Sequence, residues 1–352
     1  MPAPSRSQSA VASAGRSAGD GSTNQDLGAS PRRRRRALWF LAVIGAALIL
    51  MPVAFQMFQR APQGATMLKQ FRPFMTSARL EGYQNDISLI GSGINQVDTQ
   101  VGPYLQARNV ISQPVGTAYP AYGNLDRQWP AIDAKMTDLL DKVQGNLGNY
   151  QAVAALPSFT LFPWFFVLPG IFILGASSAL LLGRRRTAAT AVLVAVGVGL
   201  VVAPAMFQMW SRAPKGGHMM TAFKNIETTS NVVTIQNDFS TMASGQGIIR
   251  LDLAPALAKA GMTPENIASR FPAVAQLDRT WVHVLNDMTP MIGAMSDNVT
   301  SYHAIAALPP FPLFPWFFVL PGLLVIGGVL IAREPRGETA TAVDLRQAEL
   351  AS

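Results

Sequence analysis

The sequence predicts an all-α integral membrane protein with four transmembrane helices and two extracytoplasmic antiparallel helical hairpins that pair into a four-helix bundle. Three observations lead to this fold class. The chain of 352 residues is 49% hydrophobic and only 14% charged, which is too apolar for an ordinary soluble domain. Four uncharged apolar segments have the length of a membrane span. The sequence also repeats itself at a constant offset of 152 residues.

The four apolar segments are 18 to 21 residues long and contain no charged residue. A helix needs roughly 20 residues to cross about 30 Å of hydrocarbon, where every backbone amide must find its partner within the helix. We therefore expect four transmembrane helices. They are residues 37–57, 163–183, 187–207 and 315–332.

The distribution of charge predicts that both termini face the cytoplasm. Of the net charge of +8, the N-terminal tail 1–36 carries +5 and the connector 184–186 carries +3. The C-terminal tail 333–352 has a net charge of −1, and the long loops 58–162 and 208–314 have +1 and 0. Because the basic excess abuts membrane ends, the positive-inside rule places the loops outside a plasma membrane. The charge therefore indicates membrane orientation and no nucleic-acid partner.

The N-terminal tail is rich in Ser, Ala, Gly and Pro and has almost no large apolar residue, so it is predicted to be disordered. Its basic run Arg32–Arg36 could recruit anionic lipids in addition to setting orientation. The first span also has features of a cleaved signal peptide. The third span ends in the same way and cannot be a leader, so we expect the first span to be retained.

The repeat is the strongest signal in the sequence. Residues 156–170 read LPSFTLFPWFFVLPG and residues 308–322 read LPPFPLFPWFFVLPG, with 13 of 15 positions identical. Shorter matches across the loops keep the same offset. This register predicts a tandem parallel duplication, in which residues 37–183 and 187–332 each form a span, a helical hairpin and a second span. The copies would be related by an axis near the membrane normal, unlike inverted transporter repeats.

Each loop is predicted to be a helical hairpin because its apolar residues follow a heptad-like spacing. The first arm of loop 1 carries Leu80, Tyr83, Ile87, Ile90, Ile94, Val97, Val101 and Tyr104. Its return arm carries Leu125, Trp129, Ile132, Met136, Leu139 and Val143. Loop 2 keeps a less regular stripe that Gln246 interrupts, and Thr263-Pro264-Glu265 there is typical of a helix start. Pairing the two hairpins would bury both stripes.

No enzymatic motif is present: the chain lacks a Walker motif, a dinucleotide-binding glycine fingerprint, HExxH, GxSxG and an EF-hand loop. It has no cysteine and only three histidines, His218, His283 and His303. None of these histidines recurs in the other copy, so we expect neither a metal site nor a cofactor. The sequence therefore predicts a protein that is not an enzyme.

The candidate interaction or packing residues are polar and aromatic positions that recur in both copies. They are Asp126, Arg127 and Trp129 with Asp278, Arg279 and Trp281, and Gln84 and Asp86 with Gln236 and Asp238. The first group is interpreted as capping and surface ion pairing beside a buried tryptophan, or as a contact with a ligand or the other copy. The second group is interpreted as interhelical hydrogen bonds that fix register, or as a binding site.

The predicted membrane-interface residues are Arg60, Arg212, Trp164 and Trp316, which follow or begin a span. The arginines can reach the outer headgroups and the tryptophans stand at the aromatic-belt position. Proline and glycine within the second and fourth spans, such as Pro169 followed by Gly170, are expected to bend these helices. Such bends could form a groove or hinge, or simply accommodate packing.

Together these features favour a non-enzymatic plasma-membrane protein whose outer helical bundle is a scaffold or partner-binding module. An accessory role in envelope export or assembly is one form that such a module could take. The Arg-rich, Lys-poor composition resembles that of high-GC bacterial proteomes. Two other functions stay open: a small-molecule or lipid transporter or channel subunit, and a sensor. The absence of acidic and basic residues from the spans counts against an ion-coupled transporter. The predicted partners are the lipid bilayer and a protein of the membrane or envelope; the sequence predicts no oligomeric state.

Overall fold

The computed structural model describes residues 31–332, and within this range the regular secondary structure is helical, with no strand. Residues 1–30 and 333–352, on which the predicted tail disorder falls, lie outside the described residues. Four helical segments are long and apolar enough to cross a membrane. They are Arg32–Ala54, Phe159–Leu181, Arg186–Met206 and Phe311–Ala332.

The α-helices of these segments begin and end close to the expected bounds. They are α1 (Pro31–Ala54), α7 (Trp164–Leu181), α8 (Arg186–Met206) and α14 (Phe314–Ala332). The basic run expected in the tail forms the first turns of α1 instead. Helix α1 ends three residues before its predicted bound and α8 ends one residue before it. In each case a glutamine with a left-handed backbone conformation, Gln56 or Gln208, follows the helix and breaks it.

Ten further helices lie between the spans. In the first loop they are α2 (Met57–Phe71), α3 (Ser77–Gln96), α4 (Gly102–Ala107), α5 (Val115–Ala118) and α6 (Pro120–Ala154). In the second loop they are α9 (Met209–Phe223), α10 (Thr229–Ile248), α11 (Ala254–Lys259), α12 (Pro264–Arg270) and α13 (Pro272–Ala306). The first arm of each loop is therefore broken, since α2 and α3 are separated at residues 72–76. Thr76 and Thr228 restart the helix by accepting a hydrogen bond from the backbone three residues on.

Most helices of the second loop begin and end 152 residues after a helix of the first. This holds for α2 and α9, α3 and α10, α4 and α11, and α6 and α13. It also holds for the π-helical turns Val97–Val101 and Ile249–Leu253 that follow α3 and α10. We refer to α1–α7 as the first half and to α8–α14 as the second half.

The four spans pack side by side, and two pairs approach at glycines. The backbone carbonyl of Gly170 in α7 would lie 2.9 Å from a Cβ atom built on Gly45 in α1. The equivalent residues Gly197 in α8 and Gly322 in α14 make the same kind of approach. Small residues allow helices in a bilayer to pack closely without a hydrophobic driving force. The prolines expected to bend α7 and α14 lie within continuous helices.

The helices between the spans cross from one half to the other. Helix α2 packs on α13 and α9 packs on α6, while α3 and α10 each contact both long helices. Arg60 donates a hydrogen bond to the carbonyl of Ala307 at 3.0 Å, and Arg212 donates to that of Ala155 at 2.8 Å. These arginines thus bind the C-terminal ends of α13 and α6 in the opposite half.

The apolar stripes predicted from the sequence form the core of this bundle. Every residue of the first stripe is buried except Tyr104, which packs partly buried against the core. Close contact between halves requires Gly93 and Gly245, because a Cβ atom at either position would overlap Leu277 or Leu125. Gln246, expected to interrupt the second stripe, is itself buried and its Nε2 donates no hydrogen bond to the described residues.

Candidate functional site

The candidate acids Asp86 and Asp238, near the middle of α3 and α10, lie at contacts between the two halves. Asp238 is buried and forms an ion pair with Lys135 of α6 at 2.5 Å. The equivalent residues are Asp86 and Asp287, two carboxylates. Burial and the charge of Asp287 raise the pKa of Asp86, while His283 opposes this effect. Gln84 and Gln236 are exposed, and their role in fixing the register between helices stays a prediction.

Arg79 and His283 both contact Asp287, the second of these carboxylates. A guanidinium nitrogen of Arg79 lies 2.9 Å from Asp287, and Nε2 of His283 lies 3.0 Å from it on the same helix. Their equivalents in the other half are Asn231 and Ala131, which carry no charge. The exchange of Lys135 for Asp287 is therefore accompanied by one change that supplies a positive charge and one that supplies an imidazole at the same place.

A second pair of equivalent contacts lies near the start of α6 and α13. Asp98 neighbours Asp126, and Tyr122 donates a hydrogen bond to Asp98 at 2.8 Å. Burial, followed by the contact with Asp126, raises the pKa of Asp98 to about 6 against the hydrogen bond from Tyr122. The second half has Arg250 in place of Asp98, and its guanidinium lies 3.7 Å from Asp278. Arg127 and Arg279, predicted beside these acids, are exposed.

The two predicted tryptophan anchors are not equivalent. Trp281 is buried in the bundle core, whereas Trp129 is only partly buried and packs beside Gly91. The residue equivalent to Gly91 is Ala243. Trp129 lines an open polar groove between α3 and α6, which we call the Trp129 groove. Its other lining residues include Gln84, Ser88, Ser92, Asn95, Gln96, Gln100, Asp133 and Thr137.

The predicted membrane-interface tryptophans contact aromatic residues at the start of the helix that follows the neighbouring span. Trp164 makes an edge-to-face contact with Phe58 at 5.7 Å between ring centroids. Trp316 makes the equivalent contact with Trp210 at 5.0 Å. Both tryptophans remain largely exposed. This exposure is compatible with an aromatic belt. Arg60 and Arg212 donate hydrogen bonds to the ends of α13 and α6, and their position at the membrane interface stays a prediction.

An apolar cavity of about 70 Å³ lies where the bundle core meets the core around the spans. Its wall consists of methionine, phenylalanine and aliphatic side chains from both halves, together with Tyr150, Tyr302 and Glu227. Many lining residues occur as equivalent pairs: Met67 and Met219, Leu68 and Met220, Phe71 and Phe223, Phe74 and Ile226, Met75 and Glu227, Leu139 and Met291, Val143 and Met295, Tyr150 and Tyr302. The cavity therefore lies between equivalent residues of the two halves.

Glu227 is the only charged residue on this wall. Its side chain is 4% exposed, and its Oε2 accepts no hydrogen bond from the described residues. Burial raises the pKa of Glu227 to about 7. The two tyrosine hydroxyls do not bind it, because they donate to the backbone carbonyls of Leu68 and Met220. We call this space the Glu227 cavity.

Sequence reasoning did not single out Glu227, Lys135 or Asp98. A signal was present in the repeat itself, since a comparison at the 152-residue offset shows Glu227 opposite Met75, Lys135 opposite Asp287 and Asp98 opposite Arg250. The candidate residues predicted from the sequence lie at positions that both halves share. Glu227, Lys135 and Asp98 lie instead at positions where the halves differ.

Comparison of the chain with protein-family models, curated proteins and solved structures gave no match.

Proposed function

We propose that this is a non-enzymatic plasma-membrane protein, built from two tandem copies of a span–hairpin–span unit, whose extracytoplasmic bundle binds a protein partner of the envelope. Both termini would be cytoplasmic. The glycine contacts between spans favour a close-packed membrane anchor. The crosswise packing of α2 on α13 and α9 on α6 favours one continuous body above it. Such a body suits a scaffold.

The observation that carries the partner-binding proposal is the Trp129 groove. Tryptophans that keep an exposed face beside polar groups are typical anchors of protein interfaces. Trp129 is such a residue, whereas its equivalent Trp281 is buried in the core. A purely structural role would favour burial at both positions. The groove is therefore the surface of the bundle at which we expect a partner to bind.

Site-specific photo-crosslinking tests this partner-binding role with a matched control. A photoreactive amino acid at Ser92, an exposed residue of the Trp129 groove, is expected to trap one defined protein in intact cells. The control is Ser244, the equivalent and equally exposed residue of the second half. Trp129→Ala should abolish the Ser92 adduct. Equal adducts from both positions, or adducts that persist in Trp129→Ala, would contradict the proposal.

Cysteine labelling tests the orientation, and the chain contains no native cysteine to confuse it. Cysteines at the exposed loop positions Asn109 and Asn266 should react with a membrane-impermeant thiol reagent in intact cells. A cysteine at Arg184, in the short connector between α7 and α8, should react only after the cells are opened. The opposite pattern would reverse the proposed topology.

A further inference from the structure

A cavity of about 140 Å³ lies between the four spans, at the end where the connector joins α7 to α8. Two arginines line it, Arg34 of α1 and Arg186 of α8, together with Thr190 and aliphatic side chains of all four spans. In the described part of the chain, no acidic residue belongs to this wall. The cavity is therefore basic at one end and apolar elsewhere.

The two arginines occupy equivalent positions of the two halves, at the 152-residue offset of the repeat. Leu41 and Leu193, which also line the cavity, form a second equivalent pair. Arg34 is the only arginine of the basic run 32–36 that is not exposed. The packing of the halves thus brings one arginine from each of them to the same cavity.

The lining selects an anionic group that borders hydrocarbon. The planar fork of a guanidinium donates paired hydrogen bonds to phosphate or carboxylate oxygens. Leu41 and Leu193 follow the arginines by seven residues, which is a depth of about 10 Å along each helix. Basic pockets between transmembrane helices on the cytoplasmic side suit the headgroups of anionic phospholipids. The change from arginine to leucine matches the change from phosphate to acyl chain in such a lipid.

We propose that this cavity, which we call the Arg34–Arg186 site, binds the phosphate group of an anionic phospholipid of the cytoplasmic leaflet. The proposal rests on the membrane topology proposed above. A cavity of about 150 Å³ admits benzene, so the site is large enough for one phosphate group, while the acyl chains stay outside it. The bound phosphate would join α1 to α8, and thereby the two halves, at the end of the spans opposite the bundle.

Native mass spectrometry of the full-length protein, released from mild detergent, tests the site with phosphatidylglycerol as the probe. The protein should bind phosphatidylglycerol more tightly than phosphatidylcholine, whose choline cancels the charge of the phosphate. Arg34→Gln combined with Arg186→Gln should lower the affinity for phosphatidylglycerol at least about tenfold, because hydrogen bonds between charged groups are lost. Each single substitution should lower it by a smaller factor, so the result does not depend on the double variant alone.

The control is Arg32→Gln combined with Arg184→Gln, an equivalent pair that is exposed and does not line the cavity. This variant loses the same charge and should keep the affinity. Equal loss in the two double variants would show a general attraction of the basic surface and overturn the proposal. The same lipid preference in all variants would also overturn it.

Two further arms identify the occupant. Millimolar inorganic phosphate should not displace phosphatidylglycerol, because it lacks the acyl chains that hold the lipid beside the spans; full displacement would assign the site to free phosphate. Glu334→Gln combined with Glu338→Gln should leave lipid affinity unchanged. A tenfold gain would show that these acids compete for the arginines, against the proposal. Binding in detergent does not depend on orientation, so the cysteine labelling described above decides the topology separately.

Discussion

The two halves place their helices at equivalent positions but differ in the charges between them. Near the start of α6 the first half brings together Asp98 and Asp126, while the second half pairs Arg250 with Asp278. Near the middle of α3 and α10 the ion pair belongs to the other set of residues. There Lys135 pairs with Asp238. The residue equivalent to Lys135 is Asp287, which lies near Asp86 and forms an ion pair with Arg79.

This difference indicates that the residues shared by equivalent positions stabilise the fold, and that the residues that differ between these positions distinguish the two halves. Both halves keep the glycines at helix crossings, the arginines that bind helix ends and the tyrosines that bind α2 and α9. They differ at the tryptophan that is only partly buried, at the acid pairs and at the cavity carboxyl. The groove and the cavity both depend on such differences.

The largest expected effect separates the two tryptophans. Trp281→Ala should lower the free energy of unfolding by about 3 to 5 kcal/mol, because it removes a large aromatic side chain from a packed core. Trp129→Ala should cost about 1 kcal/mol, since only part of its ring is buried. Thermal unfolding followed by circular dichroism measures both changes. Equal losses would show that the two tryptophans are equivalent anchors.

The next effect concerns the glycines at the contact between halves. Gly245→Ala should destabilise the protein by about 1 to 3 kcal/mol, because the new methyl group would overlap the Cβ and side chain of Leu125. Gly93→Ala should cost less. There the methyl group would meet mainly the mobile end of Leu277, at 2.6 Å.

Gly247, two residues after Gly245 on the same helix, is the control for these substitutions. No atom lies within 4 Å of a Cβ atom built there. Gly247→Ala should leave stability unchanged or raise it by up to about 1 kcal/mol through helix propensity. The comparison fails if Gly245→Ala and Gly247→Ala have the same unfolding midpoint.

Removal of the cation should lower stability by different amounts in the Lys135–Asp238 and Arg79–Asp287 ion pairs. Lys135→Met leaves Asp238 buried without its partner and should cost about 1 to 2 kcal/mol at pH 7. Arg79→Met should cost less, because His283 also contacts Asp287. Chemical denaturation of both variants gives the two values. A larger loss for Arg79→Met would reverse the assigned importance of these contacts.

The smallest effect depends on pH. Since the pKa of Asp98 is raised to about 6 in the folded protein, its ionisation opposes folding, and stability is lost as the pH rises through this value. Asp98→Asn should therefore raise stability above pH 6. Because Asp98 remains exposed to solvent, screening limits the gain to about 1 kcal/mol. The gain should shrink as the pH falls towards 4, the ordinary pKa of an aspartate.

The match between sequence and structure is closest where local pattern decides the outcome. The four apolar segments and the stripe from Leu80 to Val101 follow directly from hydropathy and heptad spacing. The spacing could not show that α2 would pack on α13, because that choice depends on contacts between distant helices. The sequence did not predict the Glu227 cavity either. Nothing near Glu227 in the chain indicates that it lines a cavity together with Met67 and Tyr150 of the other half.

The central claim is that the two halves fold as one interlocked body. A protease site inserted between Gly183 and Arg184, in the exposed connector, allows the purified full chain to be cut between the halves. The cut protein should elute as one particle and unfold in a single transition, because α2–α13 and α6–α9 contacts join the halves above the spans. Two separate transitions, or two particles that each keep their helicity, would contradict the account.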